Sequence, residues 1–518
     1  MTKNIFITAL AFFAITVNAQ SPSDKLWHLQ PYSKTGNSGI GLEEAKELVK
    51  GKTPETVIVA IADAGVDIEH PDLKTMLWTN KDEIPDNGID DDNNGYIDDV
   101  YGWNFCGETT FDNMELTREY ARLNAKYELQ IRHLTNVAEY NRYLELKEKY
   151  LKEHEEAKQT FGILELIMGG MEALEENHGE EMTIEEVQNH PPRNKKEQIA
   201  KNILLANAKR SKDPFDFKAL KDEMQEGYDH YDFMYNYAYN ANFDPREKKV
   251  GDDYANATET GYGNNKVYYG ERFSNHGTHV AGIVAADASN DFGAEGICQS
   301  CEIMSIRNVP EGDERDKDVA NAIRYAADNG AKIVNMSFGK GYAYRPEVVQ
   351  DAIRYAESKG VLLIHAAGNS GQNNDESDNF PNDNNDAYNN WIEVGASNWE
   401  EKPAALAVFS NYGKQEVDLF APGVAIYSTT PEGQYEAFDG TSMASPVVAG
   451  VAAFVWSYYP TLTAAQLKEI LVNSAIPIKG RNRIPGSRRK KGVKKLSKTG
   501  GEVNLPAALI LAELMLNK

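Results

Sequence analysis

Four short apolar runs, each closing on small or polar residues, constrain this chain more than any other feature. They are "TVIVAIADAG" from Thr56, "AKIVNMSFG" (331–339), "GVLLIHAAGNSG" (360–371) and "WIEVGAS" (391–397). A brief, nearly uninterrupted apolar run bounded by turn residues is how a strand buried on both faces reads, and such strands belong to parallel sheets. Between them lie helical patterns. "DKDVANAIRYAADNG" sets Val319, Ala322, Ile323 and Ala326 on one face, and "RPEVVQDAIRYAESKG" does likewise before Gly360. Strands alternating with helices predict an α/β fold with a doubly wound, mainly parallel sheet, whose ligands sit at the carboxyl ends of the strands.

Residues 104–250 break that alternation. Leu116, Tyr120, Leu123, Tyr127, Ile131, Leu134 and Val137 recur at spacings of three and four on a charged background, which predicts one or more long amphipathic helices. In "MTIEEVQNHPPR", Thr183 and Glu186 form a capping box, and Pro191-Pro192 ends the helix. The stretch reads as a long α-helical insertion leaving a loop of the sheet domain. The expected layout is a leader over 1–19, an extension over 20–55, sheet-domain segments over 56–103 and 251–518, and the insertion between them. "GGEVNLPAALILAEL" reads as a last strand and helix of the same domain.

A net charge of −25 over 518 residues excludes nucleic acid and anionic membrane as main partners, since both are polyanions, and suits a protein that binds cations. The start, "MTKNIFITALAFFAITVNAQ", has Lys3, an apolar stretch from about Ile5 to Val17 and small Ala19, the plan of a cleavable secretory leader. It is too short to span a membrane comfortably, so the expectation is a secreted or periplasmic protein without an integral segment in the mature chain. Of three cysteines, Cys298 and Cys301 in "ICQSCEI" are able to pair, leaving Cys106. The basic run "KGRNRIPGSRRKKGVKKLSK" reads as a solvated loop.

Three segments carry chemistry. Asp63 follows the first strand, His276 in "SNHGTHVAGIVAA" precedes small residues at helical spacing, and Ser442 in "FDGTSMASPVVAG" stands where a buried helix would begin. A serine hydroxyl becomes a nucleophile when an imidazole takes its proton, and the imidazole needs a carboxylate to fix its tautomer. Acyl transfer also needs a donor for the oxyanion, and Asn369 in "HAAGNSG" follows a strand where its amide could join the Ser442 N–H. Each residue alone has an ordinary structural explanation; their joint occurrence at strand and helix ends does not.

The segments "DAGVDIEHPDL", "HGTHVAGIVAA", "AAGNSG" and "GTSMASP" resemble the signature segments of the subtilisin-like serine peptidases, over roughly residues 56–103 and 255–478. The resemblance implies a subtilisin-like fold and an endopeptidase in which Asp63 orients, His276 acts as general base, Ser442 attacks and Asn369 holds the oxyanion. It implies protein or peptide substrates lying as an added strand in a groove lined by Ser337, Phe338, Gly339, Ala366, Ala367 and Gly368. Ala64 departs from the Ser or Thr usual after the aspartate, with a small effect expected on the orientation of Asp63. The thirty-odd residues between Ala19 and the first strand are fewer than a folded inhibitory propeptide. The insertion is therefore a candidate for latency, substrate filtering or self-association.

"DNGIDDDNNGYIDDVYGWNF" is the second strong signal. Asp90, Asp92 and Asn94 alternate before Gly95, as in a calcium loop, and the Tyr96 carbonyl with Asp98 or Asp99 would complete the shell. Tyr101 stands at position twelve in place of a bidentate Glu, so the loop is not that of a helix-loop-helix hand. Two rival readings use the same scaffold: a non-catalytic peptide binder, and an esterase or peptide ligase. The four intact site residues argue against the binder.

Overall fold

The computed structural model describes residues 25–31, 39–128, 136–211, 214–290, 292–383, 387–399 and 405–517. The expected leader, and Ile131 and Leu134 of the amphipathic pattern, lie outside the described residues. The chain forms two compact units, one of Phe111–Asp244 and one of the residues on either side of it.

The larger unit is built on a nine-stranded sheet. Numbered along the chain, its strands are β1 (Val57–Asp63), β2 (Gly102–Asn104), β3 (Cys301–Arg307), β4 (Ile333–Met336), β5 (Leu362–Ala366), β6 (Trp391–Ser397) and β7 (Leu419–Pro422). After the hairpin β8 (Ile426–Thr430) and β9 (Gln434–Phe438) come β10 (Ile476–Pro477), the pair β11 (Arg481–Arg483) and β12 (Lys490–Gly492), and β13 (Gly501–Glu502). The sheet runs β10-β13-β7-β6-β5-β4-β1-β3-β2, and every pairing is parallel except β10 with β13.

Alternation along the strands assigns the two faces. Val57, Val59 and Ile61 of β1, with Ile333, Leu362 and Ile364, join one core with the helices Glu271–Ala285 and Thr441–Tyr458. Ala60 and Ala62, with Val334, Met336 and Leu363, join the other with the helices Asp316–Asp328 and Pro346–Lys359. This is the doubly wound, mainly parallel α/β architecture that the sequence predicts. It leaves the carboxyl ends of β1, β4 and β5 side by side.

The unit of Phe111–Asp244 is helical, with helices Glu115–Tyr127, Val137–His178, Ile184–Asn189, Lys195–Arg210 and Phe217–Phe233. Asn136, Thr183, Asn194 and Asp216 each accept from an amide of the helix they start, and Thr183 with Glu186 closes a capping box. Leu164, Ile167, Met171, Leu174, Leu204 and Phe217 form its core. Its limits are narrower than 104–250. Asn104 completes β2 beside β3, and Arg246 is buried in the sheet unit in ion pairs with Asp252 and Asp318 at 2.6 and 2.7 Å.

The basic run is not a plain loop. β11 and β12 pair as a hairpin, and Ile484, Val493 and Leu496 are buried; the cationic side chains up to Lys495 stay outside, and Lys498 pairs with buried Asp418 at 3.0 Å. Cys298 and Cys301 form a disulfide, and Cys106 is a buried thiol.

Candidate active site

Asp63 closes β1 and is almost fully buried. Its Oδ1 accepts from the Ala64 amide at 2.7 Å and lies 2.8 Å from His276 Nδ1. A carboxylate only accepts here, so Nδ1 carries the imidazole proton and Nε2 keeps a lone pair. Burial pushes the imidazole toward its neutral form. The charge and hydrogen bond of Asp63 outweigh that, and the His276 pKa is raised. The ring is not sealed in: 40% of its side-chain surface is exposed. The close approach of helix to strand end depends on Gly277, where a Cβ would fall 2.3 Å from the Gly65 carbonyl oxygen and 3.2 Å from Asp63 Oδ1.

Ser442 is the second residue of the helix Thr441–Tyr458. Its Oγ donates to the Ser337 carbonyl at 3.1 Å, and the Ser337 hydroxyl donates to the Ser442 carbonyl at 2.8 Å. Ala62 of β1 pairs with Met336 of β4, so Ser337 stands one step beyond, beside Asp63. Strand register thus brings Ser442 to the end of β1. In this state the serine hydroxyl bonds Ser337, not the imidazole.

Asn369 follows β5. Its Oδ1 accepts from Thr441 N and Thr441 Oγ1, both at 2.9 Å, which turns Nδ2 toward Gly440. A Cβ placed on Gly440 would lie 3.5 Å from the Ser442 amide nitrogen and 3.7 Å from Asn369 Nδ2. Met443 Sδ lies 3.6 Å from the same point, so the two nitrogens and the sulfur surround one position beside residue 440.

The proposed groove residues fall on two strand-end segments. Ser337, Phe338 and Gly339 extend β4, and Ala366, Ala367 and Gly368 end β5. Phe338 packs edge-on against His365, whose ring is buried and bonded to Glu393 at 2.9 Å. Asn379 ties the segments together: Nδ2 donates to the Ala366 and Ala367 carbonyls at 3.2 and 3.1 Å, and Oδ1 lies 2.6 Å from where a Gly339 Cβ would be. Asn411 donates to the Ala367 carbonyl at 2.9 Å and accepts from the Ser370 amide at 3.0 Å. Sequence reasoning missed Thr441, Asn379 and Asn411. The threonine sat inside a recognised segment; the two asparagines carry no local signal, being 12 and 44 positions from the carbonyl they share. His279, beside the general-base candidate, is buried and stacked on Phe438, and burial holds its pKa down at about 3.

In the acidic loop, Glu83, Asp90 and Asp92 bring carboxylate oxygens within 4.8 Å of one another, the only such trio among the described residues. Glu83, seven positions before Asp90, is a ligand candidate the spacing did not reveal. Three hard anionic oxygens in one place fit a hard divalent cation. Asn94 Nδ2 donates to Asp92 Oδ2 at 3.0 Å, and Asp98 accepts from the Asn87 and Gly88 amides at 3.1 and 2.9 Å. The Tyr96 ring is buried edge-on against Trp103 and Tyr325.

These features define a class. The family model described as "Subtilase family" matches residues 55–502, and the chain belongs to that family of subtilisin-like serine endopeptidases. Among its relatives, a thermophilic serine proteinase of Bacillus sp. (strain AK1) is 42% identical over 36% of this chain and 43% of its own length. Subtilisin DY of Bacillus licheniformis is 36% identical over 39% of this chain and 70% of its own. This chain thus matches less than half of the first relative. The solved structure titled as proteases from Pseudoalteromonas arctica PAMC 21717 aligns over 94% of this chain and 97% of its own, with a TM-score of 0.48 and 18% identity.

Proposed function

We propose that this chain is a secreted serine endopeptidase working through Asp63, His276, Ser442 and Asn369. The observation that carries the reading is the approach of Asn369 Nδ2 and the Ser442 amide to one point beside Gly440, together with an Asp63–His276 pair bonded at 2.8 Å. Ser442 Oγ leaves the Ser337 carbonyl and gives its proton to His276 Nε2 as it attacks the scissile carbonyl. Asp63 stabilises the imidazolium. The oxyanion is held by the two donors. His276 then protonates the leaving amine, and a water activated by the same imidazole releases the acyl group. Ser337 to Gly339 and Ala366 to Gly368 wall the groove for an extended peptide.

Glu83, Asp90 and Asp92, braced by Asn94, hold a calcium ion whose part is to fix the loop. The apolar stretch from about Ile5 to Val17, after Lys3 and before Ala19, supports export to the periplasm or beyond. The test is hydrolysis of a denatured protein by the purified chain and by its Ser442→Ala variant. Peptides released by the first and not the second are expected, and their sequenced ends give the side-chain preference. Equal release by both overturns the reading.

A further inference from the structure

Where the 42-residue helix Val137–His178 gives way to the short helix Ile184–Asn189, two histidines meet. His178 Nε2 lies 2.9 Å from His190 Nδ1, with the ring planes at 79°. On its other side, buried His190 places Nε2 3.1 Å from Glu197 Oε2. Glu197 is itself fixed by the Arg193 amide at 2.7 Å and Asn194 Nδ2 at 3.0 Å. A carboxylate that only accepts assigns the His190 proton to Nε2, so the Nδ1 lone pair points at His178. A carboxylate orienting an imidazole whose far nitrogen is free to ligate is the supporting arrangement of metal-binding histidines.

We propose that His178 Nε2 and His190 Nδ1 bind a nitrogen-seeking divalent ion, zinc above all, at a site separate from the acidic loop. Two zinc–nitrogen bonds in a tetrahedral shell set their nitrogens about 3.3 Å apart. The observed pair would open by a few tenths of an ångström and tilt its rings so that both lone pairs converge on the ion. The His178 proton moves from Nε2 to Nδ1 through solvent, so both nitrogens offer lone pairs and no net proton is released. The remaining positions face a recess lined by Glu185, Glu186 and Asn189. Water fills them, and Glu186, whose Oε2 is kept by Thr183 at 2.8 Å, lines the recess. Met182 and Val187 back the pair with buried apolar surface. The ion would tie the end of the long helix to the turn that starts Lys195–Arg210.

The test uses the full chain as Ser442→Ala, to prevent self-digestion, saturated with calcium so that the acidic loop does not compete. Zinc is titrated against a chromophoric chelator. One zinc per chain is expected, with affinity falling at least tenfold in His178→Ala and roughly 10- to 100-fold in Glu197→Gln. Cobalt gives a second readout independent of activity: visible absorption from nitrogen ligation, lost in His178→Ala, whose half-buried position and unchanged circular dichroism report an intact fold. No stoichiometric zinc, or equal affinity and equal cobalt spectra in parent and His178→Ala, overturns the proposal.

Discussion

His276 joins a carboxylate at one nitrogen to a solvent-reachable lone pair at the other, and its pH behaviour follows from that asymmetry. Only the neutral ring can act as base. Because Asp63 raises its pKa, the acid limb of kcat/KM should have its midpoint above the ordinary imidazole value of about 6.5. Asp63→Asn should move that midpoint down and reduce kcat by orders of magnitude, since the tautomer is no longer fixed. The same sign applies to stability: the raised group stabilises the fold below the unfolded pKa, and the contribution fades as pH rises through the folded value. At Gly440 the prediction is steric. A methyl group in Gly440→Ala would lie 3.5 Å from the Ser442 amide nitrogen and 3.7 Å from Asn369 Nδ2, the two donors proposed for the oxyanion, and kcat should fall by about 10²- to 10³-fold, as for loss of one donor, with KM little changed. Asp63 Oδ2 is buried without a hydrogen-bond partner, and the Ala64 side chain can offer none. Asp63, His276, Ser442 and Asn369 could be singled out as candidates because each lies in a segment with its own pattern. Asn379 and Asn411 were not, since what matters in them is a contact made across the fold.

At the scale of elements, strand β4 is bolted to the helix that carries Ser442 by a directed chain of hydrogen bonds, two of them buried. Ser445 Oγ donates to Asn335 Oδ1 at 2.7 Å, Asn335 Nδ2 to Ser337 Oγ at 2.9 Å, and Ser337 Oγ to the Ser442 carbonyl at 2.8 Å. Cutting the middle strands buried partners on both sides. Asn335→Ala should therefore cost about 1–3 kcal/mol in denaturant unfolding, and activity should fall with it. Calcium removal by a chelator should lower Tm, and Asp90→Asn with Glu83→Gln should abolish that response without touching the catalytic groups. Strands, helices and the Thr183 capping box were readable because period and cap chemistry are local. The hairpin β11–β12 was not: its cationic surface hides the alternate burial of Ile484 and Val493. Glu83 was missed for a related reason, since a candidate ligand outside the repeating acid pattern is placed by the turn of the chain and not by spacing.

For the whole molecule, the helical unit leaves and re-enters the sheet unit at stems that already meet: the Glu108 amide donates to the Lys249 carbonyl at 2.8 Å. A short linker replacing residues 111–244 should thus leave the sheet unit folded. If the helical unit selects substrates by size, the shortened chain should gain activity on large proteins relative to small peptides; unchanged cleavage of both removes that role. The central claim is that residues remote in sequence act as one nucleophilic unit. Fluorophosphonate labelling followed by peptide mapping tests it most directly. The account predicts a single adduct on Ser442, formed at least a hundredfold more slowly in His276→Ala. An adduct elsewhere, or equal labelling of parent and His276→Ala, would contradict it.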